Sequence, residues 1–185
     1  MAVLAAGRCI RCGWWLALAV LLSVPVAAVP IHAKVRDYQV KAVFLFNFTQ
    51  FVGWPSGAFG DSQEPIVIGV LGDDPFGAYL DETVRGERVD SRSLVVRRYR
   101  DTADLDAAGC QVLFISESEA GRLEQDVARL RDRSILTVSD LDGFVDRGGM
   151  IQFVTENNRV KLRINADAAK AAGLTISSKL LRVAD

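Results

Sequence analysis

The spacing of apolar and polar positions changes several times along the chain, and each change marks an element. Between residues 34 and 52, Val40, Val43, Phe44, Asn47, Phe48 and Phe51 recur at helical spacing, and Leu45 and Phe46 widen the stripe. The pattern predicts a helix capped by Asp37 and stopped at Trp54-Pro55, because a residue before proline is pushed out of the helical region. A helix this apolar needs cover on more than one side. It is either a core helix throughout or a core helix with part of its face turned to a partner. Residues 66–71 (IVIGVL) form an unbroken apolar run, as expected of a strand covered on both faces. Gly72-Asp73-Asp74-Pro75 leads into a short helix over 76–84, with Asp73 or Asp74 as cap and Gly86 as breaker. Further strands are predicted at 94–99, 111–115 and 135–138. Ser118 is expected to cap a helix over 119–131 that carries Leu123, Val127 and Leu130 on one face.

The last fifth of the chain is the most explicit. Residues 150–155 are apolar and β-prone, and Asn157-Asn158 tolerates the left-handed geometry of a tight turn. Over 159–164 the period is two: Val160, Leu162 and Ile164 face one way, Arg159, Lys161 and Arg163 the other. Asn165 is placed to cap a helix, Gly173 to end it in the left-handed conformation, and Ser177 to cap a final short helix carrying Leu180, Leu181 and Val183. Strands alternate with helices as far as residue 138, and a hairpin follows. The expected fold is therefore α/β: a single-domain, mostly parallel sheet flanked by helices, with a C-terminal antiparallel hairpin. No internal repeat, low-complexity tract or linker divides residues 34–185.

With 185 residues, half of them hydrophobic, the chain can bury a proper core. Much of the apolar excess lies at the start. Arg8 and Arg11 precede an uncharged run over 12–31, and small residues end it at Val26-Ala27-Ala28 and again at Ile31-His32-Ala33. A basic head, an apolar middle and a small-residue exit describe a secretory signal peptide over residues 1–33. The competing reading is an uncleaved anchor, since the run is just long enough to span a bilayer. Cleavage after Ala33 removes two of the 22 Lys and Arg, none of the 23 Asp and Glu, the single His, Cys9 and Cys12. The remainder has 20 basic against 23 acidic residues, a net charge of −3. That balance and an exported address argue against a nucleic-acid partner. Cys110 would be left as the sole cysteine, so no intrachain disulfide can form in the mature chain.

The parts of an active site are missing from residues 34–185. Without a histidine, neither a Ser-His-Asp nor a Cys-His arrangement can be built. Gly69, Gly72 and Gly77 follow a strand, but the spacing is not that of a dinucleotide or P-loop motif, and Asp73 and Asp74 would repel a phosphate. Asp73, Asp74 and Asp81 lack the spacing of a calcium loop. Asp101, Asp104 and Asp106 read as a solvated loop, and Ser177, Ser178 and Lys179 lack the S-x-x-K spacing of a Ser-Lys dyad. Glu117 and Glu119 suit a helix start. Arg97, Arg98 and Arg100 are either an exposed charge run or an anion site. No metal, cofactor or catalysis is expected.

Three blocks in order resemble the YfiR family of exported proteins, also known as a domain of unknown function. They are residues 41–55 (KAVFLFNFTQFVGWP), residues 110–119 (CQVLFISESE) with ILTVSD after them, and residues 148–184, with GGMIQF and AGLTISSKLL. The resemblance spans roughly residues 36–184. It implies a periplasmic α/β protein without known catalysis, which binds the periplasmic region of a membrane diguanylate cyclase and restrains it. It further implies that an outer-membrane lipoprotein can sequester the inhibitor, that cyclic di-GMP, biofilm and motility lie downstream, and that homodimers are possible. Studied members carry disulfides, and the cysteine opening the QVLFI-like strand is commonly a partner in one. Cys110 has no such partner here, so it is either a buried thiol or a link to another chain.

A contact surface is expected at the C-terminal segment, where Leu174, Ile176 and Leu181 lie near Arg163, Lys179 and Arg182 in the sequence. Leucines edged by cations suit an interface with an acidic rim. The same leucines could equally close the core. The alternative function is a small-ligand binding module, with its seat beyond the strand ends near Gly72–Pro75 and Ser116–Ser118.

Overall fold

The computed structural model describes residues 31–61, 63–105, 109–157 and 159–184, with side chains from Lys34 onward. Residues 1–30 of the expected leader, with Cys9 and Cys12, lie outside it, as do Asp106 and Asn158. Helix α1 (Ile31–Phe51) runs straight into strand β1 (Val52–Gly53). After β2 (Ile66–Leu71) come α2 (Ala78–Val84), β3 (Arg88–Val89) and β4 (Arg92–Tyr99). Then follow β5 (Val112–Ile115), α3 (Leu123–Leu130), β6 (Leu136–Ser139), β7 (Ile151–Glu156) and β8 (Arg159–Ile164). The chain closes with α4 (Ala166–Ala171), β9 (Thr175–Ile176) and α5 (Ser178–Leu181).

Seven strands form one sheet in the order β3-β4-β2-β5-β6-β7-β8. The run β4-β2-β5-β6-β7 is parallel, and the pairs β3–β4 and β7–β8 are antiparallel. This is the mixed α/β fold anticipated, with the C-terminal hairpin in register from Ile151↔Ile164 to Glu156↔Arg159. A separate antiparallel pair, β1 with β9, joins Val52 to Ile176 and Gly53 to Thr175. Its two-residue strands carry no periodic signal, which hides them from sequence reading. The β3–β4 hairpin turns at Asp90 and Ser91, both at positive φ (48° and 69°).

Strand alternation sorts the core into two layers. Ile66, Ile68 and Val70 face a large layer under α1, α2, α4 and α5, with Leu45, Phe48, Phe114, Phe153, Leu162 and Leu180. Phe48 stacks on Phe153 at 6.0 Å, and Phe76 meets Phe114 edge-on at 4.8 Å. Val67 and Leu71 face the other layer, under α3, with Tyr99, Leu113, Ile115, Leu123, Val127 and Phe144. On this second side Asp126 of α3 is buried, and its Oδ2 has no hydrogen-bond partner among the described residues.

The C-terminal caps fall where expected. Asn165 accepts from the Ala168 N–H, Ser177 accepts from the Leu180 N–H, and Gly173 is left-handed at φ 77°. Three other expected caps do not form; α2 is capped at Gly77 without a side-chain bond, and Asp74 instead accepts from the Phe76 and Gly77 N–H groups ahead of it. Asp37 lies inside α1 and binds Lys41 one turn on. Ser118 sits in a 3-10 turn (Glu117–Glu119), and α3 starts only at Leu123. The Ser118 hydroxyl instead accepts from the Asp73 N–H at 2.9 Å, because the β2 loop lies beside it.

Candidate interaction surface

An open parallel sheet offers its ligand seat where the strand order reverses, beyond the carboxyl ends of the strands. Here β2 leads outward to β4 and the chain then returns to β5, so the reversal lies between β2 and β5. That seat is filled by the protein itself. Gly72 ends β2 at φ 86°, and a Cβ added there would lie 2.3 Å from Ser118 Oγ, 2.7 Å from Glu119 Oε1 and 2.8 Å from Ser116 Oγ. The two serine hydroxyls bond each other at 2.8 Å, and Arg122 grips the buried Glu119 carboxylate at 2.5 Å. Asp74 accepts from the Phe76 N–H and binds Arg98 at 2.9 Å. Arg98 also reaches Asp81 at 2.5 Å, and its hydrogen bonds hold that carboxyl below the usual range. Asp74 and Asp81 thus answer one arginine rather than a shared cation, and Arg98 answers them rather than an outside anion.

At the adjoining strand end, α1 is fastened by a buried charge cluster. Lys41, 4% exposed, lies 2.6 Å from Asp37 and 2.8 Å from Asp140, the residue after β6. The Tyr38 hydroxyl donates to the same Asp140 oxygen at 2.9 Å, and Thr155 donates to Asp37 at 3.0 Å. Burial, with the Asp140 carboxylate beside it, pushes the Tyr38 phenol up. Sequence reading passed over this cluster. The i,i+4 spacing of Asp37 and Lys41 was its one available signal, because Asp140 is 99 residues from Lys41.

The buried face of α1 carries Ala42, Leu45 and Phe48, whereas two members of the expected stripe point outward: Val40 is 45% and Val43 42% exposed. With Arg36, Gln39, Phe44 and Asn47 of α1 and Tyr79 of α2 they line an open groove of about 370 Å³. No helix of the described residues is long and apolar enough to cross a membrane.

The expected C-terminal contact residues are divided. Lys179, Leu181 and Arg182 are exposed together on and just after α5, with Leu181 at 41%. Ile176 is half-buried in β9. Leu174 is in the core at 4% exposure, beside Leu180. Arg163 is separated from the group: Leu162 turns to the α5 side of the sheet, so Arg163 turns away from it and pairs with Asp146 at 3.4 Å.

A family model described as YfiR/HmsC-like matches residues 38–185, which takes in α1 from Tyr38 onward and every later element to the end of the chain. The chain belongs to the YfiR/HmsC-like family. A search of curated proteins found no match. YfiR/HmsC-like domains are regulatory rather than catalytic. Within this YfiR/HmsC-like chain, Cys110 is a free, buried thiol whose pKa is pushed up to about 12 by burial. Gly69 makes room for it, since a Cβ there would lie 2.8 Å from Cys110 Sγ and 2.7 Å from the Tyr99 ring.

Proposed function

We propose that this protein is a periplasmic regulator that binds and restrains an inner-membrane diguanylate cyclase, lowering cyclic di-GMP signalling. The observation that carries the reading is membership of the YfiR/HmsC-like family over residues 38–185. The leader over residues 1–33 supplies the export route. The partner is the periplasmic region of the cyclase, and an outer-membrane lipoprotein is the partner that releases it. Two features favour protein contact over small-ligand binding: the strand-end seat is filled by Ser116, Ser118 and Glu119, and exposed apolar side chains lie on helices. For the cyclase contact we assign Lys179, Leu181 and Arg182, with Ile176 at their edge. Leucine among cations fits an acidic, apolar-centred partner surface.

The test is cellular cyclic di-GMP with and without the gene in its native host. A rise on deletion, abolished by removing one membrane cyclase as well, supports the reading and names the partner. No change under several growth conditions refutes it. Arg182→Glu tests the surface separately: a folded variant that binds the cyclase undiminished removes this segment from the contact.

A further inference from the structure

We infer that the outer edge of β4 is a docking strand for an extended, acidic segment of another protein, which joins the seven-stranded sheet as one strand more. β4 is eight residues long, but β3 beyond it pairs only with Arg92 and Ser93. From Leu94 to Tyr99 the ladder partner of β4 is β2 alone. In a parallel ladder a residue turns both its N–H and its C=O to one neighbour, and the next residue turns both away. The Gly72 N–H donates to the Tyr99 carbonyl at 2.9 Å, so Tyr99, Arg97 and Val95 turn to β2. Leu94, Val96 and Arg98 therefore turn outward. The backbone groups of Val96 and Arg98 have no hydrogen-bond partner among the described residues.

Long edges are normally blunted by proline, a bulge, a charged side chain or cover. The opposite edge of this sheet obeys, since Ala184 bridges β8 at Leu162. β4 (RSLVVRRY) has no proline, and its pairs with β2 run from Ile66↔Leu94 to Leu71↔Tyr99 without a bulge. The Arg98 guanidinium does not guard the edge, because Asp74, Asp81 and the Gly77 carbonyl hold it over one face of the sheet. Charge selects the occupant. β4 and the residue after it carry Arg92, Arg97, Arg98 and Arg100 and no carboxylate. Arg100 is exposed, and its side chain makes no hydrogen bond or ion pair among the described residues. Val95 and Val96, both half-buried, lie between these arginines, one on each face of the sheet. A strand with apolar residues opposite the valines and carboxylates towards its ends makes favourable cross-strand pairs along the whole edge. A small anion would answer the arginines but leave the outward C=O groups unpaired. A second copy of β4 would bring its own arginines, and like charges across a ladder are destabilising. The inference stands apart from the cyclase reading and from the α5 contact.

Amide hydrogen exchange of the exported chain, resolved by residue with NMR, tests it. The probe is a blocked peptide with two valines at its centre, a threonine beside each and two glutamates at each end, so that either strand direction fits. At millimolar peptide, exchange at the Val96 and Arg98 amides should slow by about tenfold or more. The Val95 and Arg97 amides, already turned to β2, should not change. Lysine in place of every glutamate should weaken binding by about tenfold. Val96→Pro removes an outward N–H that β2 does not use, so it should keep the circular dichroism spectrum and abolish peptide binding. Arg100→Glu should weaken the glutamate peptide and strengthen the lysine one. Unchanged exchange at Val96 and Arg98, equal binding of the two peptides, or binding indifferent to both variants overturns the proposal. Slowing that grows with protein concentration in the absence of peptide overturns it too, and gives the edge to a second copy.

Discussion

The carboxyl ends of β2 and β5 and the outer face of α1 are two places where this fold was free to build recognition, and it treated them in opposite ways. At the strand ends hydroxyls and a carboxylate occupy the space above Gly72, and Lys41 ties α1 down to Asp140. On the outer face of α1, Val40 and Val43 stay exposed beside Tyr79 of α2 among the described residues. A sheet that usually holds a small molecule at its switch point has here been closed, and unsatisfied surface has moved to a helix. Filling a crevice with polar side chains rigidifies it and removes the ligand site. Leaving an apolar helix face open does the reverse, since its stabilisation is realised only on association.

The comparison can be broken by variants on either side. Gly72→Ala should be the most damaging, by about 4 kcal/mol, because it combines a left-handed backbone with contacts to Ser118, Glu119 and Ser116 that a Cβ cannot make. Urea unfolding measures it, and a loss below 1 kcal/mol would mean the seat is not filled as described. Lys41→Met should lower stability by about 3 kcal/mol, since it leaves Asp37 and Asp140 facing one another without their cation. A smaller, pH-dependent effect is expected at Asp126. Burial raises the pKa of its carboxyl above 3.8, so its favourable contribution is present below that pH and is lost as pH rises through the folded value. Asp126→Asn should therefore gain about 1 kcal/mol over wild type at pH 7, and the gain should vanish below about pH 4. Urea midpoints at the two pH values decide it, and an equal gain at both would exclude titration as the cause. The smallest effect belongs to the open side. Val40→Ala should change monomer stability by less than about 0.5 kcal/mol, because the site is already solvated. A larger loss in dilute solution would show that α1 is covered within the chain.

The features that could be read from sequence were the local ones. The run 66–71 is strand β2 residue for residue, and Asn165, Gly173 and Ser177 cap or end their helices as their chemistry requires. Each depends on neighbours within a turn. Ser118 was read as a cap and is not, because the Asp73 N–H from a loop 45 residues earlier claims its hydroxyl. The apolar stripe of α1 ran so far around the helix that periodicity could not say which members faced out. Of the expected contact residues, Lys179, Leu181 and Arg182 share a surface because they share one turn. Arg163 and Leu174 do not join them, since strand alternation fixes that Leu162 and Arg163 face opposite ways but not on which side α5 will land.

The pairing of β1 with β9 has a consequence for how the molecule is made. The helix that a ribosome delivers first is held by the residues it delivers last: Val52 waits for Ile176, Asp37 for Thr155, and Phe48 for Phe153. Until the final third has emerged, the most apolar segment has no permanent place, and no early part of the chain can lock into a finished domain. On the export route proposed above, such late closure would keep the chain pliable during passage, with the first and last segments clasping only on the far side.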